Sequence, residues 1–219
     1  MMDVFALIKQ ERFIALIRHV SCTVMEDVVK ALYAGGIRIV EVTFNPSDPQ
    51  TMNHTSNAIK IAIQGGMITG AGTVLSVRDA DAAYEAGACF IVSPNTNHNV
   101  VKRTKKLKML SIPGAYTPNE IVNAYNLGAD IVKIFPVLPH QIDYIKVITS
   151  SLSHIPFMIT GGINPDTIAE FLNSSAIAVA AGASIIKPEL VNNKNWNEIS
   201  RLAEMHLTPI QSLKGKQNV

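Results

Sequence analysis

Cysteine is scarce in this chain of 219 residues: only Cys22 and Cys89 are present, and they form no CxxC pair. Neither a disulfide framework nor a thiolate metal site is encoded, and a reducing compartment, the cytoplasm, is the expectation. The six histidines are scattered without an HxxxH or HExxH pattern, so no metal is expected. Charge of one sign is also lacking. The 19 Lys+Arg against 17 Asp+Glu leave a net +2, which gives no electrostatic case for a nucleic-acid partner. One basic run (Lys102, Arg103, Lys105, Lys106, Lys108) reads as the solvated face of a helix and its exit. No run approaches the roughly 18 apolar residues of a membrane span. Met1–Glu11 lacks the apolar centre of a signal peptide, so no membrane partner is expected. What the chain has is core material. Hydrophobic residues make up 47% and charged residues 16%, a composition that builds one large core rather than a disordered segment. The length suits one domain over 1–219.

Turn and cap signals cut the chain into alternating strands and helices. A short helix over Met2–Gln10 leads in. Apolar, β-branched runs predict strands at Phe13–Arg18, Ile37–Phe44, Met67–Ala71, Cys89–Ser93, Met109–Ile112, Asp130–Pro136, Pro156–Thr160 and Ala176–Ala180. Helix starts are marked by capping boxes at Thr23/Glu26 and Thr117/Glu120, by Ser76, and by Asn164-Pro165. Gly35-Gly36, Gly65-Gly66, Gly87 and Gly128 mark helix ends. The last helix is predicted over Trp196–His206, with a frayed polar tail from about residue 213. Eight strand–helix units, each of about 25 residues, predict an α/β fold of the (β/α)8 TIM-barrel type with a short N-terminal helix. An open doubly wound sheet is the alternative, disfavoured by the count of eight and by the lack of GxGxxG after strand one.

The least ordinary residue is Lys133, set inside the apolar run Asp130-Ile131-Val132-Lys133-Ile134-Phe135-Pro136. Burying an ammonium is costly, so its pKa falls, and a neutral amine is a nucleophile that forms Schiff bases with carbonyls. The alternative is a lysine that snorkels to solvent or pairs with a carboxylate. Strand alternation puts Glu41 on the face of Ile39 and Thr43, and Lys133 on the face of Ile131 and Phe135. Both then project into the barrel near the strand ends where such barrels bind ligands. A structural ion pair and a catalytic pair both stay open on this reasoning. Arg18, Thr73, Thr160 and Ser184 fall near the same ends. Thr160-Gly161-Gly162 and Gly182-Ala183-Ser184 follow strands seven and eight, where barrels build phosphate sites from backbone N–H groups.

Several motifs recur in order over Ile14 to Pro188: Ile14-Ala15-Leu16-Ile17-Arg18, Glu41-Val42-Thr43-Phe44, Gly70-Ala71-Gly72-Thr73, Ile91-Val92-Ser93-Pro94, Ile112-Pro113-Gly114, Lys133-Ile134-Phe135-Pro136, Thr160-Gly161-Gly162-Ile163 and Gly182-Ala183-Ser184. As a set they resemble the KDPG/KHG aldolases, which cleave 2-keto-3-deoxy-6-phosphogluconate or 2-keto-4-hydroxyglutarate. The resemblance implies a class I aldolase without a cofactor, acting on a phosphorylated 2-keto acid as a homotrimer. It implies Lys133 as the Schiff-base residue and Glu41 as general acid/base. It implies Thr73, Pro94 and Phe135 around the pyruvate part, and Thr160, Gly161, Gly162, Gly182 and Ser184 around the phosphate. One departure concerns the carboxylate. Many members carry arginine four residues after the glutamate, where this chain has Asn45. Others carry it at the end of strand one, and Arg18 matches those. Gln141-Ile142 is a second departure, standing where the family often has Gly-Gly or Gly-Pro. Phosphogalactonate and 4-hydroxy-2-oxoglutarate are alternative substrates for the same chemistry. A barrel that only binds a phosphorylated ligand is the alternative outside enzymes.

Overall fold

The computed structural model describes residues 3–217. Its barrel strands are β1 (Phe13–Ile17), β2 (Ile39–Thr43), β3 (Ile68–Gly72), β4 (Phe90–Val92), β5 (Leu110–Ile112, resuming at Gly114–Ala115), β6 (Val132–Ile134), β7 (Phe157–Thr160) and β8 (Ala178–Ala181). Every pairing is parallel, and β1 lies between β2 and β8, so the sheet curls until first and last strands meet. The other join runs through β5. Its first half pairs with β4 and its second half with β6. Pro113, between the halves, has no N–H to give a ladder, so the strand changes neighbour there; its carbonyl accepts from the Lys133 N–H at 2.9 Å. The expected end of strand five at Ile112 is thereby corrected. The strand resumes after the proline because both of its edges are needed to close the barrel.

Strand side chains alternate between two apolar layers, as closure demands. Ile14, Leu16, Ile39, Val92, Ile131 and Met158 fill the barrel interior. Ala15, Ile17, Val40, Val42, Val132 and Ile134 meet the helices. Helix α1 (Val4–Glu11) is capped by Asp3, whose carboxylate accepts from the Ala6 N–H at 3.0 Å. It sends the fully buried Ile8 into the interior cluster. The predicted start at Met2 lies outside the described residues.

The outer helices are α2 (Cys22–Ala34), α3 (Thr51–Gln64), α4 (Val77–Glu85), α5 (His98–Lys106), α6 (Pro118–Asn126), α7 (Ile142–Ser151), α8 (Pro165–Asn173), α9 (Pro188–Asn192) and α10 (Trp196–Gln217). Reciprocal capping boxes start α4 at Ser76/Asp79 and α6 at Thr117/Glu120. The Thr23/Glu26 box is not formed. Ser21 caps α2 two residues earlier, and Glu26 instead holds Lys30 at 2.6 Å one turn on. In the basic run, Arg103 binds Asp81 and Lys105 binds Asp130, tying α5 to α4 and to the start of β6. Two further corrections fall at the C-terminal end. The five-residue α9 was not foreseen, and α10 does not stop at His206 but runs through Pro209 to Gln217. Ile210, beyond the proline, is 1% exposed, and this burial holds the extra turns. Residues 213–217 of the expected frayed tail are helical; 218 and 219 lie outside the described residues.

Candidate active site

In an eight-stranded barrel β2 and β6 stand four strands apart and face each other. β2 brings Glu41 and β6 brings Lys133. Glu41 follows Ile39, and Lys133 follows Ile131, on the interior face. The two side chains are 2% and 4% exposed. Glu41 Oε1 accepts a hydrogen bond from Thr43 Oγ1 at 3.1 Å, while Oε2 is buried with no partner among the described residues. Room for this carboxylate comes from Gly72 on the neighbouring strand, where any Cβ would overlap it. Lys133 Nζ lies 4.6 Å from the centroid of the Phe135 ring. Among the described residues no ion pair within 4.0 Å joins Lys133 to Glu41. The structural ion pair left open by the sequence is absent here.

Burial dominates the titration of both groups. It pushes the Glu41 carboxyl up, against the smaller opposing pull of Lys133, the Thr43 bond and Arg18. It pushes the Lys133 ammonium down; Glu41 opposes this, and Arg18 adds to it. Each group is driven toward its neutral form, an amine facing a carboxylic acid. A buried neutral amine is the form able to attack a carbonyl carbon, and a neutral carboxyl can give up a proton.

Arg18 leaves the end of β1 exposed, at the rim of a cavity of about 640 Å³. Its charge acts on both Glu41 and Lys133, which sets it at the same mouth. Asn45 is committed elsewhere: its side chain accepts from the Ser47 N–H at 3.1 Å and forms a turn. Gln141 is likewise a loop brace. It accepts from the Leu138 N–H at 2.9 Å and donates to Tyr116 Oη at 3.0 Å. Thr73 follows β3 with φ 54°, a left-handed conformation that is an outlier for a β-branched residue. Pro94 packs its backbone against Gly114, the residue in register with Lys133. Thr73 and Pro94 therefore flank Glu41 and Lys133, respectively, outside the 640 Å³ cavity.

That cavity is lined by Phe135, Thr160, Gly161, Gly162, Gly182 and Ser184, among others. Among the described residues Thr160 Oγ1 is buried without a partner. Among the described residues, the backbone N–H groups of Gly161, Gly162, Ala183 and Ser184 meet no protein acceptor. Two loops thus bring unpaired backbone donors to the lining of one hollow, the requirement for holding an anion. Gly161 has φ 108°, and a Cβ there would sit 2.5 Å from the Val137 carbonyl oxygen, so only glycine fits. Gly182 is needed for its close packing: a Cβ would lie 2.5 Å from the Leu16 carbonyl oxygen on β1. Ser184 is less free than its position suggested. Its Oγ is 2.8 Å from Nε2 of His206 and 3.2 Å from the Ile163 carbonyl. His206 on α10 carries no mark in the sequence, while Gly72 and Thr43 stand there only inside their motifs, without a role. The small residue after Gly70-Ala71 was a usable signal for Gly72; nothing marked His206. No three His, Cys, Asp or Glu side chains gather as for a metal ion among the described residues.

The model of the KDPG and KHG aldolase family matches residues 4–202. A 2-dehydro-3-deoxy-phosphogluconate aldolase of Pseudoalteromonas atlantica is 30% identical over 178 residues, 81% of each chain. A 2-dehydro-3-deoxy-6-phosphogalactonate aldolase of Escherichia coli is 30% identical over 175 residues, 80% of this chain and 84% of its own. Among solved structures, a KDPG aldolase from Legionella pneumophila with pyruvate captured as a covalent carbinolamine superposes with a TM-score of 0.81. The identity is 26%, over 93% of this chain and 97% of that one.

Proposed function

This chain belongs to the KDPG and KHG aldolase family, and from that premise we propose that it cleaves 2-keto-3-deoxy-6-phosphogluconate to pyruvate and glyceraldehyde 3-phosphate through a Schiff base on Lys133. The observation that carries the proposal is a buried amine and a buried carboxyl facing each other, each pushed toward neutrality by burial. Neutral Lys133 attacks the C2 ketone. Glu41 delivers the proton with which the carbinolamine loses water, leaving an iminium. The Glu41 carboxylate so formed takes the proton of the C4 hydroxyl, and the C3–C4 electron pair moves toward the iminium. The aldehyde leaves, the enamine is protonated at C3, and water releases pyruvate and the free amine.

Arg18 takes the substrate carboxylate, since a guanidinium grips a carboxylate by two hydrogen bonds and Asn45 is spent on its own turn. Thr73 and Pro94 line the pyruvate part with Phe135. Thr160, Gly161, Gly162, Gly182 and Ser184 receive the phosphorylated end. The unpaired N–H groups of the last two loops favour phosphorylated substrates over 4-hydroxy-2-oxoglutarate. The phosphogalactonate epimer stays a second reading because relatives bear both names. Homotrimeric assembly in the cytoplasm belongs to the same proposal. Val147 and Tyr84, 65% and 50% exposed, are apolar surface that a partner would cover, and sedimentation velocity is the check.

Incubation with pyruvate and borohydride, followed by peptide mapping, is the primary test. A stable adduct on Lys133 is expected; no adduct, with activity lost to a chelator, overturns the reading. Turnover of the three candidate substrates then ranks them. Ser184→Ala is expected to weaken the two phosphorylated ones only, and Arg18→Ala to weaken all three.

A further inference from the structure

The cavity proposed to hold the phosphate has an electrostatic gap. Of its lining side chains among the described residues only Arg18 carries a permanent charge, and the function proposed above commits that charge to the substrate carboxylate. His19, exposed at the rim, is the sole other lining group able to become cationic. A dianion would sit mainly on neutral N–H groups. Behind Ser184, however, lies a buried imidazole that the reaction does not use. His206 is 1% exposed, with Nδ1 2.7 Å from the Leu202 carbonyl oxygen and Nε2 2.8 Å from Ser184 Oγ. The Phe13 ring packs against it edge-on at 5.9 Å.

These distances assign the protons. A carbonyl oxygen only accepts, so Nδ1 carries a hydrogen. Burial pushes the ring's pKa below its ordinary value, which keeps it neutral. Nε2 then bears a lone pair, and the Ser184 hydroxyl donates to it at 2.8 Å, with the Ile163 carbonyl at 3.2 Å the second acceptor in its reach. The single proton of Ser184 points away from the cavity it lines. A phosphoryl oxygen is also an acceptor, and it needs that proton. If the hydroxyl swung round with His206 still neutral, the buried Nε2 lone pair would face a lone pair of the half-buried Ser184 Oγ at 2.8 Å and lose its only donor. Adding one proton at Nε2 resolves it. Nδ1–H then donates to the Leu202 carbonyl and Nε2–H to Ser184 Oγ, and the Ser184 O–H turns to the phosphate in preference to the Ile163 carbonyl, its longer contact at 3.2 Å. The buried imidazolium then lies behind the dianion.

We propose that His206 is a positioning residue of the phosphate subsite, and that a phosphate dianion binds with uptake of one proton from solvent at His206 Nε2, which frees the Ser184 hydroxyl to donate to it. The inference rests on the phosphate placement proposed above. In the free protein burial holds the ring's pKa down, and the Leu202 bond partly opposes it. The packed elements carry Glu26, Asp27 and Lys30 on α2, Asp166 and Glu170 on α8, Glu189 on α9, and Glu198, Arg201, Glu204 and Lys214 on α10, and among the described residues none of them forms an ion pair with the ring. The proton therefore follows the ligand's charge. Above the phosphomonoester pKa of about 6, affinity should fall with rising pH, by up to about tenfold per unit.

The test is calorimetric titration of the full chain with glycerol 3-phosphate at pH 7.5, in buffers of different ionisation enthalpy. Wild type is expected to take up close to one proton per ligand, His206→Gln none with roughly tenfold weaker binding, and His19→Ala the wild-type number. A second readout needs no variant: the ¹⁵N resonance of His206 Nε2 should move from the acceptor to the N–H range on adding ligand. Binding without proton uptake, an unmoved resonance, or uptake lost in His19→Ala would overturn the inference and leave the phosphate site standing. Unchanged ligand affinity in Ser184→Ala would overturn the phosphate placement itself, and the inference with it.

Discussion

At Glu41 the carboxylate has one oxygen bound by Thr43 and one left bare, in a space that exists because residue 72 has no side chain. Glu41→Gln keeps the shape and removes the transferable proton. It should lower kcat by about 10²–10⁴, while borohydride trapping of pyruvate on Lys133 persists at a reduced rate. Gly72→Ala should approach the same kcat loss in a folded protein, because the added methyl displaces the carboxylate rather than the barrel. Comparing kcat with thermal midpoint separates the two effects. Lys133→Met removes a buried amine that the fold holds away from its charged form at a cost in stability. It should abolish turnover and raise stability by about 1 kcal/mol, read by urea denaturation.

Among the elements, α1 and β5 carry most of the structural argument. α1 closes the end of the barrel through Ile8, which is fully buried among interior side chains. Ile8→Ala should cost about 2–5 kcal/mol in urea denaturation, with kcat unchanged below the new midpoint, because the cavity it leaves is remote from the strand ends that hold Lys133. β5 works by being interrupted. Its proline releases one neighbour and its glycine accepts the next, which puts Gly114 beside Lys133 and against Pro94.

For the whole molecule, the two shifted groups make stability depend on pH in opposite senses. Lys133 in the fold has a pKa below its unfolded 10.5, so between the two values the unfolded chain binds more protons and stability rises with pH. Glu41 in the fold lies above its unfolded 4.5, so the folded chain binds more protons and stability falls as pH rises through that window. The stability gap between Lys133→Met and wild type should therefore narrow as pH climbs toward 10.5, measured by denaturation at successive pH values. Trapping of pyruvate should reach its plateau at a lower pH than a free lysine would give.

Local signals in the sequence determined the order of strands and helices, the interior parity of Glu41 and Lys133, and the glycine-rich exits of the last two strands. Periodicity of two, cap residues and glycine all act over a few neighbours, so they are written where they are used. The tertiary structure alone decided what depends on residues far apart in the chain. The break in β5 follows from closing a barrel. The vacancy at Gly72 has meaning only against Glu41, 31 positions earlier by number. Arg18 joins the mouth through β1, while Asn45 turns to its own loop. Ser184 meets His206 because the long α10 packs behind β8, and burial on a helix without a local motif left that imidazole unmarked. Whether an amine or an imidazole is neutral is set by what surrounds it in space, and that environment exists only after the barrel has closed.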